Sequence, residues 1–421
     1  MTDVDRGSVQ PADELAAALT AELDGRLAAA DAALAERFPG DTPDRQPVHT
    51  VYVPADLFAD DLADTWGRAA IALVDQHSGL FRDLVGDEDQ VALVRAKLTA
   101  EPIEDLRIDF EDGYGDRGDE VEDADTLRAA AALARATQTG TAPPFHGIRF
   151  KSLEAPTRGR GIRTLTLFLS KLLEDGGLLD GFVVTLPKIT SVEQVEAMVE
   201  LTARLEHSLG LTPRSLRFEL QIETPQSILG PDGTALVARM IHAGEHRVTA
   251  LHYGTYDYSA FCGIPAAYQS MEHPVADHAK LVMQAAAAGT GVRLSDGSTN
   301  VLPVGDETAV RRGWELHARL VRRSLERGFN QGWDLHPAQL PTRFAATYAF
   351  FRSGFDEAAE RLRNYVEQTG SSVMDEPATA RALSDFIARG IDCGALAAAE
   401  VEAGTGLDVA TLTALARPRR L

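Results

Sequence analysis

Leu216-Arg217-Phe218-Glu219-Leu220-Gln221-Ile222-Glu223-Thr224-Pro225 is the stretch on which the fold turns. From Leu216 to Ile222 apolar and polar residues alternate with the two-residue period of a strand, and the run breaks at Glu223-Thr224-Pro225. The next such run, Val248-Thr249-Ala250-Leu251-His252-Tyr253, ends the same way at Gly254-Thr255-Tyr256-Asp257. Glu223 and Asp257, 34 residues apart (257 minus 223), thus each sit where a strand gives way to a loop. Acids so placed on adjacent strands can converge on one divalent cation. Mg2+ suits them, because it takes one or two carboxylates and fills the rest of its octahedron with water or substrate oxygens.

Working outward from that pair, short apolar runs recur at 49–54, 106–110, 147–150, 181–187, 291–294 and 332–335, which makes eight with the two above. Between them lie stretches of helical period, such as 192–205 behind the Ser191 cap. Eight strand-then-helix units predict a (β/α)8 TIM barrel, with its active site at the C-terminal strand ends. A doubly wound open sheet is the alternative, but no GxGxxG follows the first strand. The domain reading is an N-terminal helical extension over 1–45, a catalytic barrel over 46–345 and a C-terminal helical segment over 346–421.

Composition bounds the function. The chain has 421 residues, 44% hydrophobic and 25% charged, enough for a large core. Its net charge of −22 disfavours nucleic acid and anionic membranes as partners, so an anionic substrate needs a local cation. The two cysteines, Cys262 and Cys393, form no CxxC and support neither a zinc cluster nor a disulfide framework. With no apolar leader and no long uncharged apolar stretch, a cytoplasmic location is expected.

Other polar residues gather round the acid pair. Asp109-Phe110-Glu111-Asp112-Gly113 is too dense a run of acid unless it faces cations. Arg149, between Ile148 and Phe150, points to the face opposite theirs. In the barrel interior it needs an anion, either a substrate carboxylate gripped by its planar fork or the acidic run itself. Lys188, closing Leu186-Pro187-Lys188, raises Schiff-base catalysis, which ranks below the metal route because a cation polarises the same carbonyl. His336 reads as a packed loop histidine, and Arg158 to Arg163 as a solvated basic loop.

In their order, DFED (109–112), Arg149, LPK (186–188), IETP (222–225), GTYD (254–257) and LHPAQL (335–340) resemble the HpcH/HpaI aldolase and citrate lyase beta-subunit superfamily, and are similar to malyl-CoA lyases. The resemblance spans roughly residues 49 to 385. It implies metal ligands at Glu223 and Asp257, with Mg2+ or alternatively Mn2+ as cofactor. It also implies that Arg149 holds the keto or carboxylate end of the substrate. Glu111, Asp112, Lys188, Gly254 and Thr255 would line the substrate site. Val373-Met374-Asp375-Glu376-Pro377 resembles the family's MIDAP-like segment, which implies an acid/base role for Asp375 in a neighbouring subunit's site and a homo-oligomer, trimer or hexamer. Arg149-Phe150-Lys151 stands where the family has Arg-x-Asn, which leaves a CoA thioester substrate open. Residues 1–45 and the stretch around 60–100 read as additions.

The resulting expectation is a Mg2+-dependent carbon–carbon lyase or aldolase acting through an enolate on a β-hydroxy acid or acyl-CoA, with a keto acid or glyoxylate as product. Arg149 and Asp375 are its catalytic residues, with a metal-bound water ordered by Glu111 and Asp112 as the second acid/base candidate. A malate-synthase-like condensing enzyme and a non-catalytic keto-acid-binding barrel are the alternatives.

Overall fold

The computed structural model describes residues 11–367 and 376–417. Its strands are β1 (His49–Pro54), β2 (Asp105–Asp109), β3 (Phe145–Arg149), β4 (Phe182–Leu186), β5 (Arg217–Ile222), β6 (Val248–Tyr253), β7 (Arg293–Ser295) and β8 (Gly332–Asp334). All pair in parallel, each with the next from β1 to β7, and β1 pairs with β8. At the remaining seam the Asp296 N–H donates to the Gln331 carbonyl at 2.8 Å and the Trp333 N–H to the Gly297 carbonyl at 3.2 Å. Helices cover the outside. The result is the nearly closed (β/α)8 barrel that the eight runs predict.

Strand alternation sorts the residues into two surfaces. Leu106, Ile108, Ile148, Val184, Phe218, Leu220 and Ile222 are buried in the main apolar core with the surrounding helices. Residues of opposite parity meet across the barrel: Arg107 of β2 donates to Glu219 of β5 at 2.8 and 3.0 Å and to Thr185 of β4 at 3.1 Å, though none of these strands adjoins β2. Tyr52 of β1 and Trp333 of β8 both reach His252 of β6, whose Nε2 lies 3.1 Å from Glu219. The lumen is therefore ionic rather than apolar. Arg107 also pairs with Asp105, so its guanidinium balances two fully buried carboxylates. Removing one partner of such a set strands the others without solvent. Arg107→Leu should lower unfolding free energy by about 3–5 kcal/mol, which urea denaturation measures directly.

Three helices, Leu62–Gln76, Ser78–Val85 and Glu88–Ala100, separate β1 from β2. The helix Leu340–Val366 leaves the barrel at β8 and nucleates a second apolar cluster, including Phe355, Leu362, Ile387 and Leu412, with the helices after it. The opening helix, Ala12–Arg37, buries none of its residues. Among the described residues no helix is long and apolar enough to cross a membrane.

Candidate active site

Where β2 to β6 end, loop residues and the last inward-facing strand residues meet. Gln221 and Glu223, two apart on β5 and the turn after it, share the inward parity set by Glu219. Glu223 is 1% exposed. Its Oε2 accepts from Gln221 Nε2 at 2.6 Å and its Oε1 from the Lys188 backbone N–H at 2.8 Å. Lys188 supplies that N–H with φ at 49°, a left-handed conformation that costs a side-chain-bearing residue roughly 1–2 kcal/mol. Gly254 lies against Glu223: a Cβ there would come within 2.4 Å of the Glu223 Cβ, so only glycine lets β6 end beside that acid. Asp257 follows in the first turn of the helix Thr255–Phe261, close enough that it and Glu223 act on each other's protonation.

The cations face this acid pair. The Arg149 fork is spent on Asp109, with Nε and Nη2 each 2.7 Å from a carboxylate oxygen. Nη1 makes longer contacts, 3.3 Å to Gln221 Oε1 and 3.4 Å to Glu111. Its guanidinium carbon stacks over the Tyr52 ring, 4.8 Å from the centroid. Lys188 Nζ pairs with Glu111, lies 2.5 Å from Asp112 and stands 4.0 Å from Asp257. Of the two readings of Arg149, the structure shows the partner of the acidic run. Its fork is committed to Asp109, and its third nitrogen faces the mouth.

Charge and burial set the proton affinities. Burial first, then the Glu111 charge and that of Asp257, push the Glu223 carboxyl up to about 8 against the pull of Arg149 and Lys188. Asp257 is raised for the same reasons, burial and then the neighbouring Asp112 outweighing Lys188. Glu111 is raised by burial and by Asp112, whereas Asp112, although partly desolvated, is held low by Lys188. Burial alone would lower the Lys188 ammonium, but Glu111 and Asp112 more than reverse it. It stays protonated, the opposite of what a Schiff-base lysine needs.

Whether this array suits a divalent ion follows from its donors. Glu223 and Asp257 offer only carboxylate oxygens, which match a hard cation such as Mg2+ or Mn2+, and burial, with the neighbouring acids adding to it, leaves their charged forms short of the stabilisation a cation supplies. Among the described residues no group of three or more His, Cys, Asp or Glu is placed to hold a metal ion. Two carboxylates are what Mg2+ commonly takes from a protein.

Against this geometry stand the comparisons. A family model described as a domain of unknown function, DUF6986, matches residues 27–420. The chain belongs to that family. No curated protein matches it in sequence. Among solved structures, this DUF6986 chain is similar to a citrate lyase from Burkholderia xenovorans LB400, with a TM-score of 0.58 at 19% identity over 87% of this chain and 99% of that one. It is also similar to Haloferax volcanii malate synthase in its lead(II) complex, with a TM-score of 0.50 at 17% identity over 89% of each chain. The same malate synthase solved at 3 mM glyoxylate gives 0.50 at 16% identity over 89% of this chain and 99% of that one. At such identities the likeness is one of fold.

Sequence reading brought Glu111, Asp112, Arg149, Lys188, Glu223, Gly254 and Asp257 to one mouth. Thr255 opens its helix fully buried, with its hydroxyl unpaired among the described residues. Asp375 lies outside the described residues. Asp109, the clamp of Arg149, belongs to the acidic run offered as its partner, whereas Gln221, which links Arg149 to Glu223, went unremarked. Gln221 was findable, since alternation gives it the inward parity of Glu219. Arg158–Arg163 is a helix start rather than a loop, and Arg160 and Arg163 are paired with Asp123 rather than free for a ligand. Lys151 turns away to the Phe110 carbonyl at 2.8 Å and Glu122 at 2.7 Å, pinning the acidic loop. His336 caps its own turn, accepting from the Ala338 N–H at 3.1 Å.

Proposed function

We propose that the barrel mouth is the active site of a divalent-cation-dependent carbon–carbon lyase or aldolase of the HpcH/HpaI and citrate lyase beta-subunit type. It cleaves or forms a β-hydroxy acid, or its acyl-CoA ester, with a keto acid or glyoxylate as the second product. The observation that carries this reading is the convergence of Glu223 and Asp257 beside Arg149 and Lys188 in one partly desolvated mouth.

Glu223 and Asp257 would hold the cation, Mg2+ or Mn2+, which supplies Lewis-acid stabilisation to charge developing on a substrate oxygen. Arg149, oriented by Asp109 and Tyr52, presents Nη1 to a substrate carboxylate. Exchanging its 3.3–3.4 Å contacts for such a partner improves its pairing at that nitrogen. The Lys188 ammonium adds a fixed positive charge, and Glu111 and Asp112, which it holds at the mouth, would order a water as the second acid/base candidate. Asp375 remains the proposed acid/base from the tail, acting within a homo-oligomer. Condensation in the malate-synthase sense uses the same parts in reverse, and the likeness in fold to a malate synthase solved at 3 mM glyoxylate supports keeping glyoxylate among the substrates.

The test is product release from a panel of β-hydroxy acids and their CoA esters, with Mg2+, with Mn2+ and with chelator. Metal-dependent appearance of pyruvate, oxaloacetate, glyoxylate or acetyl-CoA is expected. Binding of keto acids without turnover on any member would favour the non-catalytic barrel.

A further inference from the structure

The opposite end of the barrel carries a feature the mouth does not explain. Arg217 opens β5, Arg293 opens β7 and Phe145 opens β3, and the three line a cavity of about 590 Å3 under the barrel floor. Arg107 and Glu219 reach its inner wall. A smaller cavity of about 260 Å3 shares Arg293 and is bordered by Arg389 and Arg417.

In a chain with 63 acidic and 41 basic residues, a guanidinium held near the interior ordinarily finds a carboxylate. Arg389 and Arg417 do: Asp385 lies 2.7 and 3.3 Å from them, and Asp392 is 3.5 Å from Arg417. Arg217 and Arg293 form no ion pair with any described carboxylate. Arg293 donates to the backbone carbonyl of Asp44 at 2.9 Å and sits 6.0 Å from the centre of the Phe145 ring. The Asp44 carboxylate acts on both arginines from beyond ion-pair range. Of the other acids around the cavity, Asp105 and Glu219 are consumed by Arg107, and Asp180 is exposed. Burial, and then the other arginines, lower the proton affinity of Arg293. Arg217, exposed, and Arg293, half-buried, thus line one cavity with neither ion-paired to a described carboxylate, the Asp44 carboxylate acting on both from beyond ion-pair range.

We propose that this floor cavity is a binding site for a multivalent oxyanion, a phosphate or a polycarboxylate, gripped between the planar forks of Arg217 and Arg293. Both forks match such oxygens bidentately, and Phe145 supplies an apolar wall. The site is separate from the mouth and does not depend on the function proposed for it.

Full-length, metal-free protein is titrated calorimetrically with inorganic phosphate and, separately, with citrate, against sodium chloride at matched ionic strength. At least one of the two should saturate a single site per chain with a Kd below about 1 mM. Arg217→Gln, on the exposed rim, should weaken it about tenfold or more, and Arg217→Gln/Arg293→Gln should abolish it. Which titrant binds distinguishes phosphate from polycarboxylate. Because citrate also resembles the acids proposed for the mouth, Glu223→Gln/Asp257→Asn is titrated in parallel and should bind unchanged. Neither arginine is ion-paired to a described carboxylate, so the double arginine variant should melt no lower than wild type in anion-free buffer. The proposal is overturned if neither anion saturates, if chloride does as well, or if the double arginine variant still binds. Loss of binding with the mouth variant, or a large fall in Tm for the arginine variant, overturns it equally.

Discussion

Glu223→Gln should abolish metal-dependent turnover while removing a pH-dependent weakness of the fold. A bound divalent cation contributes several kcal/mol of charge stabilisation. Losing a ligand from a two-carboxylate site should therefore lower kcat/KM on the order of 10³-fold or more. The stability effect has a definite direction. Glu223 holds its proton up to about 8 in the fold, against an ordinary 4.5. Between those values the folded chain keeps a proton that the unfolded chain has released, so metal-free wild type loses stability as pH rises, by about 1.4 kcal/mol per unit, and the loss levels off above about 8. Glu223→Gln has no such proton to lose. Melting curves taken from pH 5 to 9 should show the gap between variant and wild type moving in the variant's favour up to about pH 8, and Mg2+ should restore wild type most above it. A gap that stays constant across that range would show that Glu223 is not the desolvated, crowded acid described here.

Arg149→Met should damage stability and substrate binding together, and a second substitution separates the two. The fork that grips Asp109 balances a carboxylate only 1% exposed, so the single variant strands it at a cost of about 3–5 kcal/mol. Loss of the Nη1 contact to a substrate carboxylate should raise KM by roughly 10- to 100-fold, the worth of a charged hydrogen bond. Adding Asp109→Asn to Arg149→Met relieves the stranded charge and should recover much of the stability, without recovering KM. If KM returns along with Tm, Arg149 only holds Asp109 in place and does not touch substrate. Arg149→Lys keeps the charge but not the fork, and should fall between the extremes in both measurements.

The eight strands were legible because each is a short run bounded by breakers, and the barrel because helical period fills every gap between them. The mouth was legible wherever a charged residue closes an apolar run, as at Glu223, Asp257 and Lys188. What escaped notice was the ionic lumen. Asp105, Arg107, Glu219 and His252 each look like polar interruptions on a half-exposed strand, and only barrel closure shows that their shared face is buried. Gln221 escaped for a related reason: an amide carries no charge to draw attention, and its value lies in joining Arg149 to Glu223, a contact between strands far apart in sequence. Arg158–Arg163 misled because a basic segment following a strand defaults to a solvated loop. Gly161 instead permits close packing, since a Cβ there would come within 2.4 Å of the Lys151 carbonyl.

Calorimetric titration of Mg2+ into the metal-free protein at pH 7 and pH 9, in buffers of different ionisation enthalpy, tests the central claim most directly. One ion should bind per chain, release close to one proton at pH 7 and markedly fewer at pH 9 as Glu223 ionises beforehand, and bind to neither Asp257→Asn nor Glu223→Gln. Binding that survives both substitutions, or no saturable binding to wild type at either pH, would contradict a cation held between these two carboxylates.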